Sequence, residues 1–440
     1  MAILSKEEAK AILQKVISFA TADECEANLN GTMGGNIRYA RNSVSTAGKV
    51  ADTSLVVQAA FGKKMGTSTI NEFDEASLKK VVQRAEELAR LAPENPEYMG
   101  VLDPQEYDES PTFSQSTADI TPEYRAEVAA RSIEPARSKD ITAAGFLQDS
   151  AGFDSMMNSK GLFAYRKSTN VDFTVTMRTN DGTGSGWVTR DYNDVNKFDA
   201  VEASAIAIDK AVLSKEPRAI EPGKYTVILE PAASVGLIRN MVYNMNARSA
   251  DEGRSFLSKK GEKGENRLGE KMFDERVHIF TDPHHPDLPG STWSGNGLPI
   301  QKLDMIKGGK VENLFYDRFW AGQKGVKPVP FSGGFIMAGG DGSIADMIAD
   351  TKRGVLVTRT WYIRTVDPQT LLYTGLTRDG TFFIENGKIA YPLKNFRFNE
   401  SPVIMLNNLE ALGKQYRVDG NLIPVMKIRD FTFSSLSDAI

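Results

Sequence analysis

The chain has 440 residues, a length typical of two or three domains, and its 41% hydrophobic and 25% charged content is ordinary for a globular protein. The net charge of −4 at pH 7 weighs against a broad nucleic-acid-binding surface, which needs a basic excess. A single cysteine, Cys25, excludes an internal disulfide and therefore a disulfide-stapled secreted scaffold.

The first 92 residues predict a small N-terminal α+β domain. Ser5 and Glu8 have the spacing of a capping box and begin an amphipathic helix. Two β-favouring runs, residues 36–40 and 53–61, are separated from their neighbours by glycines, which predicts antiparallel strands. Apolar residues recur at helical spacing from residue 78 to residue 89 and predict a second helix.

Residues 93–118 contain four prolines and many polar residues, and are predicted to be a linker. A middle domain is predicted over residues 119–216. Thr121 and Pro122 are a helix cap and first-turn residue, and that helix should end before Pro135. Strands are expected over 141–188, with a turn at 158–161, and a further helix over 198–213.

Residues 217–440 predict a β-rich C-terminal domain. A strand is expected over 224–230, a helix over 232–246 and a short helix over 344–351, among many short strands joined by Gly and Pro turns. The fold class is therefore α+β, with mixed or antiparallel sheets and helices, a small N-terminal α+β domain and a larger β-rich C-terminal domain.

The chain is expected to be cytoplasmic. Its first eight residues are already charged and lead into a helix, whereas a signal peptide needs an apolar core there. No run of about 18 apolar residues occurs, so no transmembrane helix and no membrane partner are predicted.

Three histidines are present, His278, His284 and His285. The last two are adjacent and flanked by prolines, so they point apart and cannot lie on a regular helix. A solvated turn is therefore favoured over a zinc site built with Asp282 or Asp287.

The glycine-rich segments do not predict phosphate sites. Residues 182–186 lack the Lys-Ser/Thr ending of a P-loop, and no base is placed beside Ser185 to make it a nucleophile. The turn at 339–343 precedes a helix, but Asp341 would repel a phosphate and Ser343 suits an N-cap. A turn and a helix cap are favoured.

For two tryptophans and the cysteine, a functional role has to be weighed against a place in the core. Trp293 and Trp361, with Arg364 close in sequence, could stack a nucleobase, but core packing is the favoured interpretation. Cys25 lies in a predicted strand without a histidine near it in sequence, so a buried thiol is favoured over a nucleophile.

Three segments resemble the TldD/PmbA family, once described as modulators of DNA gyrase. The sequence IRYARNS at residues 37–43 resembles the early strand of that family. The sequence DTKRGVLV at 350–357 is similar to its D-[TI]-K-R-G-[LV]-x-V signature, and FIENGKIAYP at 383–392 resembles its late hairpin. The resemblance covers nearly the whole chain.

The resemblance also locates a zinc motif that this chain has lost. TldD-type members carry His-Glu-x-x-x-His on a helix after a strand, where the imidazoles hold zinc and the glutamate takes a proton from bound water. Here Arg239, Asn240 and Asn244 occupy those three positions, and the late cysteine ligand is absent because Cys25 is the only cysteine. The resemblance thus implies no catalytic residue, metal ligand or cofactor in this chain, and it leaves substrate-binding residues unknown.

The sequences GRSFL at 253–257 and LGEK at 268–271 resemble the non-catalytic PmbA/TldE branch. That branch implies a pseudoenzyme subunit of a heteromeric zinc metallopeptidase that acts in proteolysis. A TldD-type metallopeptidase partner would hold the zinc, a peptide would be the substrate, and this chain would complete the substrate chamber. Nucleic acid is not expected as a partner, and a homodimer of the chain alone stays open. An extended peptide could bind along an exposed strand edge that the sequence does not identify.

Two alternatives remain at this stage. An autonomous metallopeptidase would need unrecognised Asp or Glu ligands together with the His284 region, and metal content would identify it. A DNA gyrase or DNA-binding regulator would bind DNA with an affinity that falls steeply as salt rises.

Overall fold

The computed structural model describes residues 3–259, 261 and 264–437, which form an α+β protein with two sheets. The first sheet and its helices are, in chain order, α1 Lys6–Phe19, β1 Glu24–Ala40, β2 Ser43–Phe61, β3 Lys64–Ile70, α2 Glu75–Leu91, α3 Gln115–Ala118, α4 Pro122–Ser138, β4 Ile141–Asn158, β5 Phe163–Thr179, β6 Ser185–Tyr192 and α5 Ala200–Leu213. The second sheet and its helices are β7 Gly223–Leu229, α6 Pro231–Tyr243, α7 Ala247–Asp251, β8 Ile279–Thr281, β9 Leu303–Lys307, β10 Lys310–Val311, α8 Arg318–Lys324, β11 Ile336–Met337, α9 Ile344–Ala349, β12 Arg353–Val357, β13 Thr360–Asp367, β14 Leu372–Thr377, β15 Thr381–Glu385, β16 Lys388–Pro392, β17 Phe396–Glu400, α10 Pro402–Asn407, β18 Leu409–Val418 and β19 Asn421–Leu436. None of the helices in these ranges has the length and apolar content needed to cross a membrane.

The first sheet is antiparallel, in the order β3-β2-β1-β4-β5-β6. Strands β1 and β4 pair from Glu26 to Tyr39 of β1, so the segments predicted as N-terminal and middle domains contribute to one continuous sheet. Helices α1 and α2 cover one part of it, and α4 and α5 cover the other, each with its own apolar core. The domain boundaries predicted from the sequence stay predictions.

Two adjacent glycines were expected to separate short strands, and this expectation is wrong. Strand β1 continues through Gly34 and Gly35 for 17 residues. A Cβ at Gly34 would lie 2.1 Å from the carbonyl oxygen of Asp149, and one at Gly35 would lie 2.2 Å from the guanidinium of Arg125. The glycines therefore allow close approach by β4 and α4 rather than a turn.

The prediction that α4 would end before Pro135 is also wrong. The helix begins as expected, with Thr121 accepting a hydrogen bond from the Tyr124 amide, but it continues to Ser138. Pro135 removes one bond, to the Arg131 carbonyl, and the buried side chains of Ile133 and Ala136 hold the end of the helix against the sheet.

The second sheet joins thirteen strands of the described chain. Its main path is β10-β9-β8-β11-β19-β7-β12-β15-β16, and most of its pairs are antiparallel, whereas β7 and β12 pair in parallel. Strand β19 lies at its centre, and residues 421–428 of that strand are all buried. The main apolar core of this half lies between the sheet and α6.

In two of the segments that resemble the family, residues 350–357 and 383–392, the structure explains why glycine or asparagine is present. Gly354 lies on β12, where a Cβ would come within 2.8 Å of the Thr226 carbonyl oxygen on β7. Asn386 and Gly387, with φ of 50° and 78°, form the two-residue turn between β15 and β16. Both residue types suit that left-handed turn.

The predicted linker contacts the C-terminal half of the chain. The Tyr107 hydroxyl donates to the Gly297 carbonyl at 2.6 Å, and Arg248 pairs with both oxygens of Glu97 at 3.0 and 2.9 Å. These bonds attach the predicted linker to the second half of the chain.

Candidate functional site

The first two positions of the His-Glu-x-x-x-His motif, occupied here by Arg239 and Asn240, lie on α6, which follows β7. Glu230 is its N-cap residue and Pro231 lies in its first turn, where the missing proline N–H costs nothing. The helix buries an apolar face in the core of the second half: Val235, Leu237, Ile238, Met241 and Val242. Arg239 and Asn240 are only partly buried and line an open cleft.

The third position lies beyond the helix. The helix was expected to continue to residue 246 but ends at Tyr243, and Asn244 is its C-cap. Asn246 instead begins α7 by accepting a hydrogen bond from the Ser249 amide at 2.9 Å. Five residues of a regular helix correspond to a rotation of about 140°, so positions 239 and 244 could share a ligand only where the helix ends or distorts.

The side chains at these positions do not fit a zinc ion. Arg239 Nη2 lies 3.0 Å from Asp419 Oδ2, in an ion pair. Asn244 Nδ2 donates to the backbone carbonyl of Asn240 at 2.7 Å. Zinc needs imidazole, thiolate or carboxylate donors, and Arg and Asn are not such ligands.

A cleft of about 460 Å³ lies beside this face of α6. Its walls come from α6, β6, β13 and the end of β18, and its volume is in the range of ordinary ligand sites. The lining residues are Trp187, Ala232, Val235, Gly236, Arg239, Asn240, Arg359, Thr360, Trp361, Tyr362, Ile363, Val418 and Asp419.

One wall of the cleft is held by a buried carboxylate. Arg359 Nη1 donates to Asp379 Oδ2 at 2.6 Å, and its guanidinium lies 3.9 Å from the ring centroid of Trp187. Ser185 Oγ donates to Asp379 Oδ1 at 2.6 Å. Burial lowers the pKa of Arg359, and the Asp379 charge opposes this. Ser185 therefore joins the two halves of the chain by a hydrogen bond, and the expectation that it is not a nucleophile stays a prediction.

The outer wall is aromatic and exposed. Trp361 and Tyr362 are 41% and 54% accessible, and their ring centroids are 5.4 Å apart. Core packing is correct for Trp293, which is 7% accessible, but it is wrong for Trp361. Arg364 lies over Tyr362 rather than over a tryptophan, with its Cζ 4.4 Å from the ring centroid.

At the inner end of the cleft, the β18–β19 turn contacts the first sheet. Asp419 and Gly420 form this turn, with φ of 48° and 69°. Asp191 Oδ2 accepts hydrogen bonds from Arg417 Nε at 2.8 Å and from the Gly420 amide at 3.2 Å. Asp172 lies opposite Asp191 on the neighbouring strand and keeps part of its surface exposed. Desolvation there, followed by the Asp191 charge, raises the pKa of Asp172 to about 6.

The histidines lie outside this cleft. His278 Nε2 is 2.8 Å from Asp304 Oδ1, and His284 is exposed in a turn after β8. His285 Nδ1 accepts a hydrogen bond from the Asp287 amide at 3.2 Å, as a turn residue would. Within residues 3–259, 261 and 264–437, no three His, Cys, Asp or Glu side chains are grouped as a metal site.

The glycine-rich segments have structural roles in the described chain. A Cβ at Gly186 would lie 2.1 Å from the Ala207 carbonyl oxygen, so glycine lets β6 approach α5. Ser343 caps α9 in a capping box with Asp346, as expected from the sequence.

Three family models match three successive segments of the chain. Residues 25–89, 116–215 and 222–435 match the models described as PmbA/TldA metallopeptidase domain 1, central domain and C-terminal domain. The chain is 23% identical to the metalloprotease PmbA of Escherichia coli O157:H7, over 97% of this chain and 98% of that protein. It is 22% identical to a metalloprotease of Methanothermobacter thermautotrophicus, over 61% of this chain and 62% of that one.

Solved structures share the fold. TldE from Thermococcus kodakarensis superposes with a TM-score of 0.87 at 17% identity, covering 97% of this chain and 99% of that one. A candidate modulator of DNA gyrase from Bacteroides thetaiotaomicron gives 0.86 at 20% identity, covering 98% and 100%.

Proposed function

Because the chain belongs to the PmbA/TldD metallopeptidase family, we propose that it is the non-catalytic subunit of a heteromeric zinc peptidase. In this proposal a TldD-type partner with His-Glu-x-x-x-His holds the zinc and cleaves the peptide. This chain forms part of the chamber that binds the substrate.

The observation that carries the proposal is the pairing of the motif side chains with other protein groups. Arg239 is bound to Asp419, and Asn244 is bound to the backbone of Asn240. Neither arrangement offers a zinc donor or a general base, although the strand, the helix and the cleft beside it are all present. A fold that keeps its cleft without the ligands fits a subunit that binds or positions a substrate.

Rigid contacts between the two halves of the chain support a chamber role. The Ser185–Asp379 and Arg417–Asp191 contacts join β6 of the first sheet to the second half of the chain, and the predicted linker bonds to that half as well. Rigid walls can exclude water and hold a peptide close to a metal on a partner, which lowers the entropic cost of reaction.

The test is co-expression with a homologue that carries His-Glu-x-x-x-His, followed by gel filtration and a peptide-cleavage assay. We expect one stable complex, activity only in the complex, and loss of activity when the motif glutamate of the partner is replaced by glutamine. Separate elution of the two chains, or full activity of the partner alone, contradicts the proposal.

The same preparations address the two alternatives. Stoichiometric zinc and chelator-sensitive cleavage by the isolated chain would favour an autonomous metallopeptidase. Binding to duplex DNA that weakens steeply with salt would favour a DNA-binding regulator. We expect neither, because the motif positions lack metal donors and the net charge is −4.

A further inference from the structure

We propose that the open edge of β13, with the arginine–aromatic array Arg378, Trp361, Tyr362 and Arg364, binds an extended peptide segment that carries an acidic side chain. This inference rests on the proposed function and deepens it, because it names the edge and the class of peptide.

The array is a continuous row of neighbouring groups, in which each arginine lies over one ring and the two rings are tilted by 43° to each other. Arg378 Cζ lies 4.3 Å from the Trp361 centroid, the Trp361 and Tyr362 centroids are 5.4 Å apart, and Arg364 Cζ lies 4.4 Å from the Tyr362 centroid. A guanidinium stacked on a ring is held in one plane, while its N–H groups stay available at its rim. The row therefore presents two oriented cations with exposed aromatic surface between them.

The backbone of β13 is shaped to place both rings together. Consecutive residues of a regular strand point to opposite faces. Here the pairing register with β14 shifts between Trp361 and Arg364, and Tyr362 has a φ of 55°. An aromatic residue in the left-handed region is strained, and such strain concentrates at functional sites. The surrounding fold thus holds the two rings side by side on the protein surface.

One edge of β13 has no strand partner in the described part of the chain, although α6 packs against the strand at Ile363. In the described part of the chain, β13 pairs only with β14, and the cleft beside α6 adjoins its other side. Gly236 on α6 lets the helix lie against β13, since a Cβ there would be 2.7 Å from Ile363 Cδ1. Unpaired N–H and C=O groups on an edge strand can hydrogen-bond an added peptide strand of varied sequence.

The charge of the array favours a carboxylate on that peptide. Among the described residues, Arg364 has no carboxylate within ion-pair distance. Arg378 Nε is 3.8 Å from Asp379 Oδ2, an oxygen that already accepts a shorter bond from Arg359. Both array arginines therefore keep N–H groups for a carboxylate, with which guanidinium forms strong charge-assisted bonds.

A single nucleic-acid strand fits the cleft less well than an acidic peptide. Such a strand carries one phosphate per nucleotide, and it would have to pass the partly exposed carboxylate of Asp419 at the inner end. A peptide can present one carboxylate to the array and neutral groups to the rest of the cleft.

The experiment measures binding of short fluorescein-labelled peptides to the purified chain by anisotropy, at about 150 mM salt. One peptide carries a single glutamate in an otherwise neutral sequence, and matched peptides carry glutamine or lysine at that position. We expect the glutamate peptide to bind roughly fivefold more tightly than the glutamine peptide, with the lysine peptide weakest. Arg364→Ala and Arg378→Ala should each reduce this preference, and Trp361→Ala should weaken all three peptides.

Arg84→Ala is the matched control, because it removes the same charge from an exposed position on α2. Equal affinity for the glutamate and glutamine peptides overturns the inference, as does a loss at Arg84→Ala as large as at Arg364→Ala. Tighter, steeply salt-dependent binding of single-stranded DNA would also overturn it. Because the assay uses the chain alone, it gives a result even where no active complex forms. If the complex is active but the chain shows no preference for the acidic peptide, this inference is wrong and the proposed function still holds.

Discussion

Arg417 on β18 reaches across to Asp191 on β6, with its Nε 2.8 Å from Asp191 Oδ2. The two side chains are only 9% and 6% accessible, and Arg417 also donates to Asn193 Oδ1 at 2.7 Å. This buried ion pair joins a hairpin of the second sheet to an edge strand of the first.

We predict that Arg417→Ala lowers the free energy of unfolding by about 3–5 kcal/mol, the usual cost of leaving a buried charge without its partner. Asp191 Oδ1 already has no hydrogen-bond donor in the described chain. Loss of Arg417 would therefore leave this buried carboxylate with even fewer stabilising contacts. Urea denaturation measures the change. Arg84→Ala should shift it by less than about 0.5 kcal/mol, and equal effects of the two variants would contradict the prediction.

Asp172→Asn should stabilise the protein above pH 6 but not near pH 4. Its carboxyl has a pKa of about 6 in the folded protein, above the ordinary value of 3.8, mainly because of desolvation. The stabilising contribution of the protonated form is complete below the unfolded pKa and is lost as pH rises through the folded pKa. Because the side chain is solvent-accessible, the expected gain in Tm at pH 7.5 is only on the order of 1 °C. A gain of the same size at pH 4 would argue against this origin.

Cys25 should be unreactive in the native protein. It is buried in the core of the first sheet, where desolvation raises the pKa of its thiol to about 12. The thiolate, which is the reactive form, is therefore scarce at pH 8. We expect negligible modification by a disulfide reagent until denaturant is added, and then one equivalent per chain. Rapid labelling of the folded protein would show that this core opens readily.

Gly186→Ala should destabilise the contact between β6 and α5. The added methyl group would meet the Ala207 carbonyl oxygen at 2.1 Å, so strand and helix must separate, at a cost of about 1–3 kcal/mol. Gly48→Ala is the control, since its Cβ would have only ordinary contacts with Asn36 on an exposed strand. Thermal unfolding should separate the two variants, and similar Tm values would show that α5 adjusts freely.

Local sequence signals predicted the long helices and several caps, but they missed the short helices α3, α7, α8 and α10. They also failed where distant residues decide the structure. Ser5, Thr121 and Ser343 cap helices as expected, because a cap depends only on residues three positions away. Glycines at 34 and 35 predict a strand break, but they are needed because Asp149 and Arg125, 115 and 90 residues later in the chain, approach the backbone closely. Nothing local to the glycines reveals that contact.

In the candidate site, too, some features could be predicted from the sequence and others could not. The positions of Arg239, Asn240 and Asn244 follow from the resemblance to the family, and α6 does carry the first two. The cleft itself brings together Trp187, Asp419 and β13, which are far apart in sequence. The exposure of Trp361 depends on a register shift that places consecutive rings on one side, against the period of two that a strand predicts.

The central place of β19 has a consequence for synthesis on the ribosome. Met426 of β19 pairs with Leu229 of β7, about 200 residues earlier, whereas the pairs of the first sheet are complete by residue 192. At roughly 5–20 residues per second, β7 is made on the order of 10–40 s before its neighbour β19. A nascent chain can therefore finish its first sheet while the edge of β7 is still open to chaperones or to aggregation. Stalled chains ending before residue 421 should accordingly show protease resistance in their first half and cleavage in their second.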